Sequence, residues 1–362
     1  GKKSQEEKLS VFQPKYTITP KILNNLLEIE RLKMRIDKAR ILPLEEIKLK
    51  REAVITMIHH STGIEGNTLS KYEVGQVLQG KKVSANKREI YEVENYKKAL
   101  DYISSLVEKK RTVTLAIILQ IHKCLTNNIL DIKNCGKFRT EPVYVVSRSF
   151  GRVTKVLYTG PKAKIVPQLL KELAEWLMEI EKSDLPPIVM AGIAHAELAA
   201  IHPFIDGNGR TARLLATLLL YKRGYDFRKL FALEEYYNQD RQKYYEAIHL
   251  GDTYEERKKT NMTNWLEYFV QGFKVSMQAV WDKIEPLQLV KIGGKEQALY
   301  LTKNERLILD FLFSQGKIYR QDVEEITNLS ESSALRLLER LGQRSLISQQ
   351  GVGRKVWYEL KA

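Results

Sequence analysis

Residues 202–213 read His-Pro-Phe-Ile-Asp-Gly-Asn-Gly-Arg-Thr-Ala-Arg, which places a base, a carboxylate, a glycine-rich turn and two arginines in one short stretch. The segment before it, Ile188 to Ile201, is apolar and alanine-rich with Gly192 as its one break. It reads as a buried helix that stops at Pro203, where a helix would lose an N–H donor and meet the pyrrolidine ring. Gly207, Asn208 and Gly209 then turn the chain, and a second helix starts near Gly209 and runs through Leu214 to Tyr221. The first N–H groups of that helix have no partner within it and sit at the positive end of its dipole, so its mouth suits an anion. Arg210 and Arg213 are three apart and share a helix face, which sets both guanidinium groups over the same anion. Two arginines suit a polyphosphate better than a lone carboxylate. The competing reading makes His202 a helix C-cap and Gly-Asn-Gly a plain turn; Asp206 and both arginines at this spacing weigh against it.

The whole string resembles the signature of Fic-domain proteins, His-Pro-Phe-x-(Asp/Glu)-Gly-Asn-Gly-Arg-x-x-Arg, and every specified position is matched. The resemblance implies an enzyme, a protein adenylyltransferase that moves AMP from ATP to a Ser, Thr or Tyr hydroxyl of a target protein. It also implies roles. His202 would be the general base, and Asp206 would bind Mg²⁺ bridging the α and β phosphates. Asn208 with the Gly207 and Gly209 amides would hold phosphates, while Arg210 and Arg213 would neutralise the β and γ phosphates. The chemistry is coherent: an imidazole with an ordinary pKa near 6.5 can accept a proton at neutral pH, and a cation clamp stabilises charge on a pyrophosphate leaving group.

Far upstream, Glu52 to His60 reads as a helix ending in Ser61-Thr62-Gly63-Ile64-Glu65-Gly66-Asn67. This is similar to the inhibitory pattern (Ser/Thr)-x-x-x-Glu-(Gly/Asn) of autoinhibited Fic proteins, with Ser61, Glu65 and Gly66 in the specified places. The resemblance implies that Glu65 pairs with Arg213 and occupies the γ-phosphate site, in the class whose inhibitory helix precedes the core.

The expected fold is mainly α: a Fic helical core with a β-hairpin flap, a helical N-terminal extension and a small C-terminal winged helix-turn-helix domain. Pro14 and Pro20 break an irregular start, Ile22 to Arg40 has helical spacing, and a further helix follows Pro43. Glu89 to Glu108, Thr114 to Asn127 and Val166 to Glu181 are further amphipathic helices. Gly136-Lys137-Phe138-Arg139 is similar to an element that introduces Fic active sites, with Arg139 read as pinning a loop rather than reacting. β-branched residues on both sides of residues 149–152 predict a hairpin over 143–158; by resemblance it is the flap on which the target docks by strand pairing. Arg241 to Leu250 carries Tyr244 and Tyr245, one of which, again by resemblance, stacks on adenine. Trp265 to Trp281 forms a long helix. His195 reads as a satisfied core residue, no partner is apparent for His59 or His60, and no zinc site is predicted because no i, i+4 histidine pair is present.

Gly293-Gly294 marks a linker, and beyond it Thr302 caps a helix to Phe313. Tyr319 to Thr327 is a second helix, and Ser330 opens a third that ends at Gly342. Leu346 to Leu360 alternates as two strands around residues 351–354. The order resembles a winged helix, whose third helix can enter a DNA major groove, yet Glu331 and Glu339 flank Arg336 and Arg340 there and oppose the phosphate charge. The expected division is 1–110 helical N-terminal region, 111–285 catalytic core, 286–298 linker and 299–362 winged-helix-like domain.

Composition decides less. The net charge of +15 invites nucleic acid, but residues 1–50 hold 12 basic against 7 acidic side chains and residues 298–362 hold 10 against 8. The excess is spread along the chain. Two cysteines make no disulfide framework, no apolar run reaches the roughly 18–20 residues a bilayer demands, and the first twenty residues carry no signal-peptide pattern. The expectation is a cytoplasmic, bacterial protein with ATP, Mg²⁺ and a target protein as partners. DNA binding through 299–362 and a homodimer are kept as further options. A DNA-binding regulator with a nucleotide-sensing core, and a hydrolase that removes AMP, are the alternatives; intact His202 and Asp206 favour the transferase.

Overall fold

Among the residues that the computed structural model describes, 12–149, 152–287, 301–351 and 356–361, helices dominate. Helix α1 (Pro20–Lys38) starts where the Thr19 hydroxyl accepts the Ile22 N–H, with Pro20 in the first turn, where its missing donor costs nothing. Helix α2 (Pro43–Ile64) runs past His60, the expected end, because Ser61 and Thr62 are buried and the Thr62 hydroxyl donates to Ile58 O. The chain turns at Gly66 instead, where φ is +100°. Helix α3 (Lys71–Leu78) was not anticipated; its signal is the capping box of Ser70 and Glu73. Helices α4 (Lys87–Glu108) and α5 (Leu115–Thr126) follow.

Strands β1 (Tyr144–Ser149) and β2 (Arg152–Thr159) pair antiparallel, with register shifts after Val145 and Ser147. The expected turn at Phe150-Gly151 lies outside the described residues, as does the linker around Gly293-Gly294. Next come α6 (Val166–Ile180), α7 (Pro187–Ile201), α8 (Asn208–Lys222), α9 (Leu233–Gln239), α10 (Arg241–Ile248), α11 (Tyr254–Lys259) and α12 (Thr263–Ile284).

Helix α7 is apolar on every side and buried from Ile188 through Leu198, as a central helix should be. Gly192 lets α12 close on it: a Cβ there would come within 3.0 Å of both Leu266 and Phe269, and the Trp265 indole N–H donates to Gly192 O at 2.8 Å. The buried side chains from Ile22 to Ile284 form one continuous core, so the N-terminal helices and the segment after residue 110 share it.

A second core gathers α13 (Lys303–Gln315), α14 (Arg320–Thr327), α15 (Glu331–Gln343) and the antiparallel strands β3 (Ile347–Gln350) and β4 (Trp357–Leu360). Thr302 and Glu305 form the capping box of α13. Ser330 stands at the N-cap of α15, but its hydroxyl bonds Ser333 and not a helix N–H. Ile47 of α2 is buried in this second core, which ties it to the first. No described helix is long and apolar enough to cross a membrane.

Candidate active site

His202 ends α7 in the left-handed region, φ 49° and ψ 58°. A side chain is disfavoured there, and the conformation persists because its surroundings fix it. The His202 N–H donates to Leu198 O at 3.0 Å, and Arg139 Nε donates to His202 O at 2.7 Å. The same guanidinium reaches Glu141 O at 2.9 Å and Pro161 O at 2.7 Å, and the Arg139 N–H donates to Pro203 O at 3.0 Å. Arg139 therefore pins the loop, as read from the sequence. Nδ1 of His202 faces Ala199 O at 3.2 Å, which assigns the proton to Nδ1 and leaves Nε2 as the acceptor. Burial pulls the imidazole pKa below its ordinary value, against the Ala199 bond and the Glu65 charge, which push it up. A neutral base results.

The loop after His202 is held from both sides. The Asn208 amide accepts from Phe204 N and donates to Phe204 O, both at 2.9 Å. That side chain shapes the loop: in this structure both ends of its amide are engaged by the Phe204 backbone. The Phe204 ring stacks on His122 with centroids 3.7 Å apart. His122 accepts the Gly136 N–H at Nδ1 and donates from Nε2 to Asp206 O, both at 2.9 Å. Burial drives its pKa to about 4, so it is neutral and structural. Nothing in the periodicity of α5 marked this histidine.

Asp206 accepts the Gly207 N–H at 2.6 Å, stands 3.4 Å from Arg210 and accepts from Arg88 at 2.5 Å. Burial alone would raise its carboxyl pKa, but Arg210, the Gly207 N–H and Arg88 hold it below its ordinary value. An ionised single carboxylate suits Mg²⁺, which takes its remaining ligands from water and substrate phosphates. No group of three or more metal-ligating side chains occurs among the described residues.

The two arginines expected over one anion hold different acceptors here. Arg210, 1% exposed, lies between Asp206 and Glu92. Arg213 donates from Nε to the Ser61 hydroxyl and from Nη2 to Ser61 O, each at 2.9 Å, and to Glu65 Oε1 at 2.7 Å. Burial opposes the charge on Arg213, yet Glu65 with the Tyr244 and Tyr96 hydroxyls raises its pKa. The Glu65 carboxylate rests over Gly209 in the first turn of α8, and a Cβ on Gly209 would collide with it. An acidic side chain thus occupies the helix mouth read as an anion site.

Of the two tyrosines proposed for adenine, Tyr244 is in the core. It is 3% exposed, stacks on Tyr237 at 4.5 Å and meets His195 Nε2 at 3.0 Å. Adjacent helical positions point about 100° apart, so Tyr245 is the exposed one, with its hydroxyl 3.5 Å from Ile64 O. His195 lies in the core as expected, but it is only half satisfied: Nε2 meets the Tyr244 hydroxyl, while its buried Nδ1 has no hydrogen-bond partner. His59 and His60 do have partners: Nδ1 of His59 donates to Leu69 O at 3.0 Å, and the Asn238 amide donates to Nδ1 of His60 at 2.9 Å. Sequence reasoning also missed Arg88, Glu92 and Glu234. The last, 2% exposed, accepts the Tyr96 hydroxyl at 3.2 Å, and burial raises its pKa to about 7.

Residues 112–220 match the model of the Fic/DOC family. The match ends within α8 and takes in the whole of the 202–213 stretch. Two proteins named protein adenylyltransferase Fic, from Drosophila grimshawi and Drosophila virilis, are each 34% identical over 180 residues, 49% of this chain and 35% of theirs. The chain thus spans about a third of the length of these curated relatives. A Fic family protein from Desulfovibrio desulfuricans G20 superposes with a TM-score of 0.63 at 24% identity, covering 96% of this chain and 98% of that one, a likeness of fold. Fic-1 of C. elegans gives 0.57 at 25% identity over 73% of each chain.

Proposed function

We propose that this Fic-domain protein transfers AMP from ATP to a Ser, Thr or Tyr hydroxyl of a target protein and is held inactive by Glu65. The observation that carries the reading is the Glu65 carboxylate over Gly209, paired with buried Arg213 at the N-terminus of α8. An N-terminal helix mouth with free N–H donors and two buried arginines attracts a polyanion, and here the chain supplies its own anion. The relatives named adenylyltransferase support AMP as the transferred group.

In this mechanism the target oxygen attacks the α phosphorus while its proton passes to Nε2 of His202. The bond from that phosphorus to the bridging oxygen breaks and pyrophosphate leaves. Arg210 and Arg213 stabilise the charge on the leaving group. Asp206 would hold Mg²⁺, which supplies Lewis-acid polarisation of the phosphates. Backbone N–H groups of the Gly207–Gly209 turn, with Asn208 fixing its shape, bind phosphate, and Tyr245 offers the exposed ring for adenine.

The β1–β2 hairpin is the proposed docking edge for the target. Its base is tied to the base-bearing helix by the Tyr158 hydroxyl, which donates to Ala200 O at 2.6 Å. We read 299–362 as a winged-helix-like module facing protein rather than DNA, since Arg340 is engaged by Glu305 at 2.9 Å. The test is label incorporation from α-labelled and γ-labelled ATP by wild type, Glu65→Gly and Glu65→Gly/His202→Ala. Incorporation of the α label alone, greatest in the single variant and lost in the double, is expected. No incorporation by Glu65→Gly despite tight ATP binding would refute the transferase.

A further inference from the structure

We propose that Arg88 is a second lock on this site, holding Asp206 against the divalent cation and coupled through Glu92 to the inhibitory segment. The inference rests on the adenylyltransferase reading for the identity of the cation site. Arg88 sits in the first turn of α4, the end of a helix dipole that disfavours a cation. Two carboxylates account for its pose there. Nη2 donates to Asp206 at 2.5 Å, and Nε donates to Glu92 at 3.3 Å.

Asp206 has one carboxylate oxygen committed to the Gly207 N–H, and the other is the one Arg88 covers. A divalent ion binding at that second oxygen meets a guanidinium in the same place, and two cations cannot share it. The Arg88 side chain is 53% exposed, so it can swing into solvent with little loss of packing. It is a releasable contact, unlike buried Arg210.

Glu92 connects this corner to the Glu65 brake. One of its oxygens faces Arg88 and Arg210, and the other accepts the Asn67 amide at 2.9 Å. Asn67 follows Glu65 and Gly66 directly, and its amide also donates to Glu89 O at 3.1 Å. When the end of α2 withdraws, Glu92 loses Asn67 and gains a free oxygen with which to take Arg88 in a two-pronged grip, away from Asp206. Departure of the brake therefore opens the cation site as well as the γ-phosphate site.

The experiment titrates Mn²⁺ by electron paramagnetic resonance into the full chain, with and without a non-hydrolysable ATP analogue. The proteins are wild type, Arg88→Gln and Arg88→Lys, with Glu65→Gly and Glu65→Gly/Arg88→Gln alongside, and analogue affinity is also measured without metal. With the brake in place, Arg88→Gln is expected to lower half-saturating Mn²⁺ about three- to fivefold, the scale of a half-exposed ion pair, and the same change should shift it less in the Glu65→Gly background, where Glu92 is free to hold Arg88. Metal-free analogue affinity should not move, and Arg88→Lys should fall between. Unchanged or weaker Mn²⁺ binding by Arg88→Gln with Glu65 in place overturns the lock, and a loss of metal-free analogue affinity in Arg88→Gln makes Arg88 a phosphate ligand instead. Failure of Glu65→Gly to bind the analogue at all refutes the parent reading, and the titration without nucleotide then still decides Arg88 by the same shift.

Discussion

Gly209→Ala separates the brake from the helix that carries it. Gly209 lies in the first turn of α8 and is not among the positive-φ glycines, so alanine fits its backbone. Helix propensity alone favours the change by up to about 1 kcal/mol. In the wild type, however, the new methyl group runs into the Glu65 carboxylate and comes within 3.1 Å of Arg213 Nη1. The carboxylate must move and the 2.7 Å bond to Arg213 breaks. A charge-assisted bond of this kind is worth about 1.5–3 kcal/mol, so Gly209→Ala should destabilise the wild type by about 1–2 kcal/mol. In a Glu65→Gly background the obstacle is gone, and the same change should stabilise by about 0.5–1 kcal/mol. Urea unfolding of the four proteins gives the cycle, followed by fluorescence because Trp176, Trp265 and Trp281 are all buried in the main core. Additivity within about 0.5 kcal/mol would refute the contact between Glu65 and the mouth of α8.

Two further outcomes follow from the buried ionisable groups. Glu65 is among the charges that raise the His202 pKa against burial, so Glu65→Gly should lower it further in nucleotide-free protein; imidazole NMR titration checks this, and an upward shift would contradict the geometry. Glu234 has a folded pKa of about 7 against an ordinary 4.5, so the folded state binds the proton more tightly than the unfolded chain does. Its neutral form is fully accommodated below about pH 4.5, and stability is lost progressively as pH rises toward 7, by about 3 kcal/mol. Glu234→Gln keeps an acceptor for Tyr96 and should therefore raise the melting temperature at pH 8 while changing it little at pH 4.5; equal effects at both pH values would refute a buried, proton-binding Glu234.

The helices were legible where the chain signals them locally. Pro20, Pro43 and the Thr302 cap mark helix starts, and the apolar run before Pro203 announced α7. Local signals misled after His60, the expected helix end, since the helix runs on to Ile64. Ser61 and Thr62 are buried against the core within the helix, and the chain turns only at Gly66, where φ is positive. The Tyr244-Tyr245 pair shows the same limit: composition offered two equal rings, and only the packing of α10 sent Tyr244 inward to Tyr237 and His195.

The sequence by itself determined which side chains residues 202–213 bring together, because the histidine, the carboxylate, the turn and both arginines are neighbours along one stretch of chain and their spacing is set by helix geometry. The tertiary structure decided what those groups face. Glu65 and Arg213 lie 148 residues apart, as Arg88 and Asp206 lie 118 apart. Pairs that distant are chosen by how α2 and α4 pack on α8 and not by any local propensity. At Arg213 and Asp206 burial opposes the charged form, and the opposite charges that this packing brings up restore it.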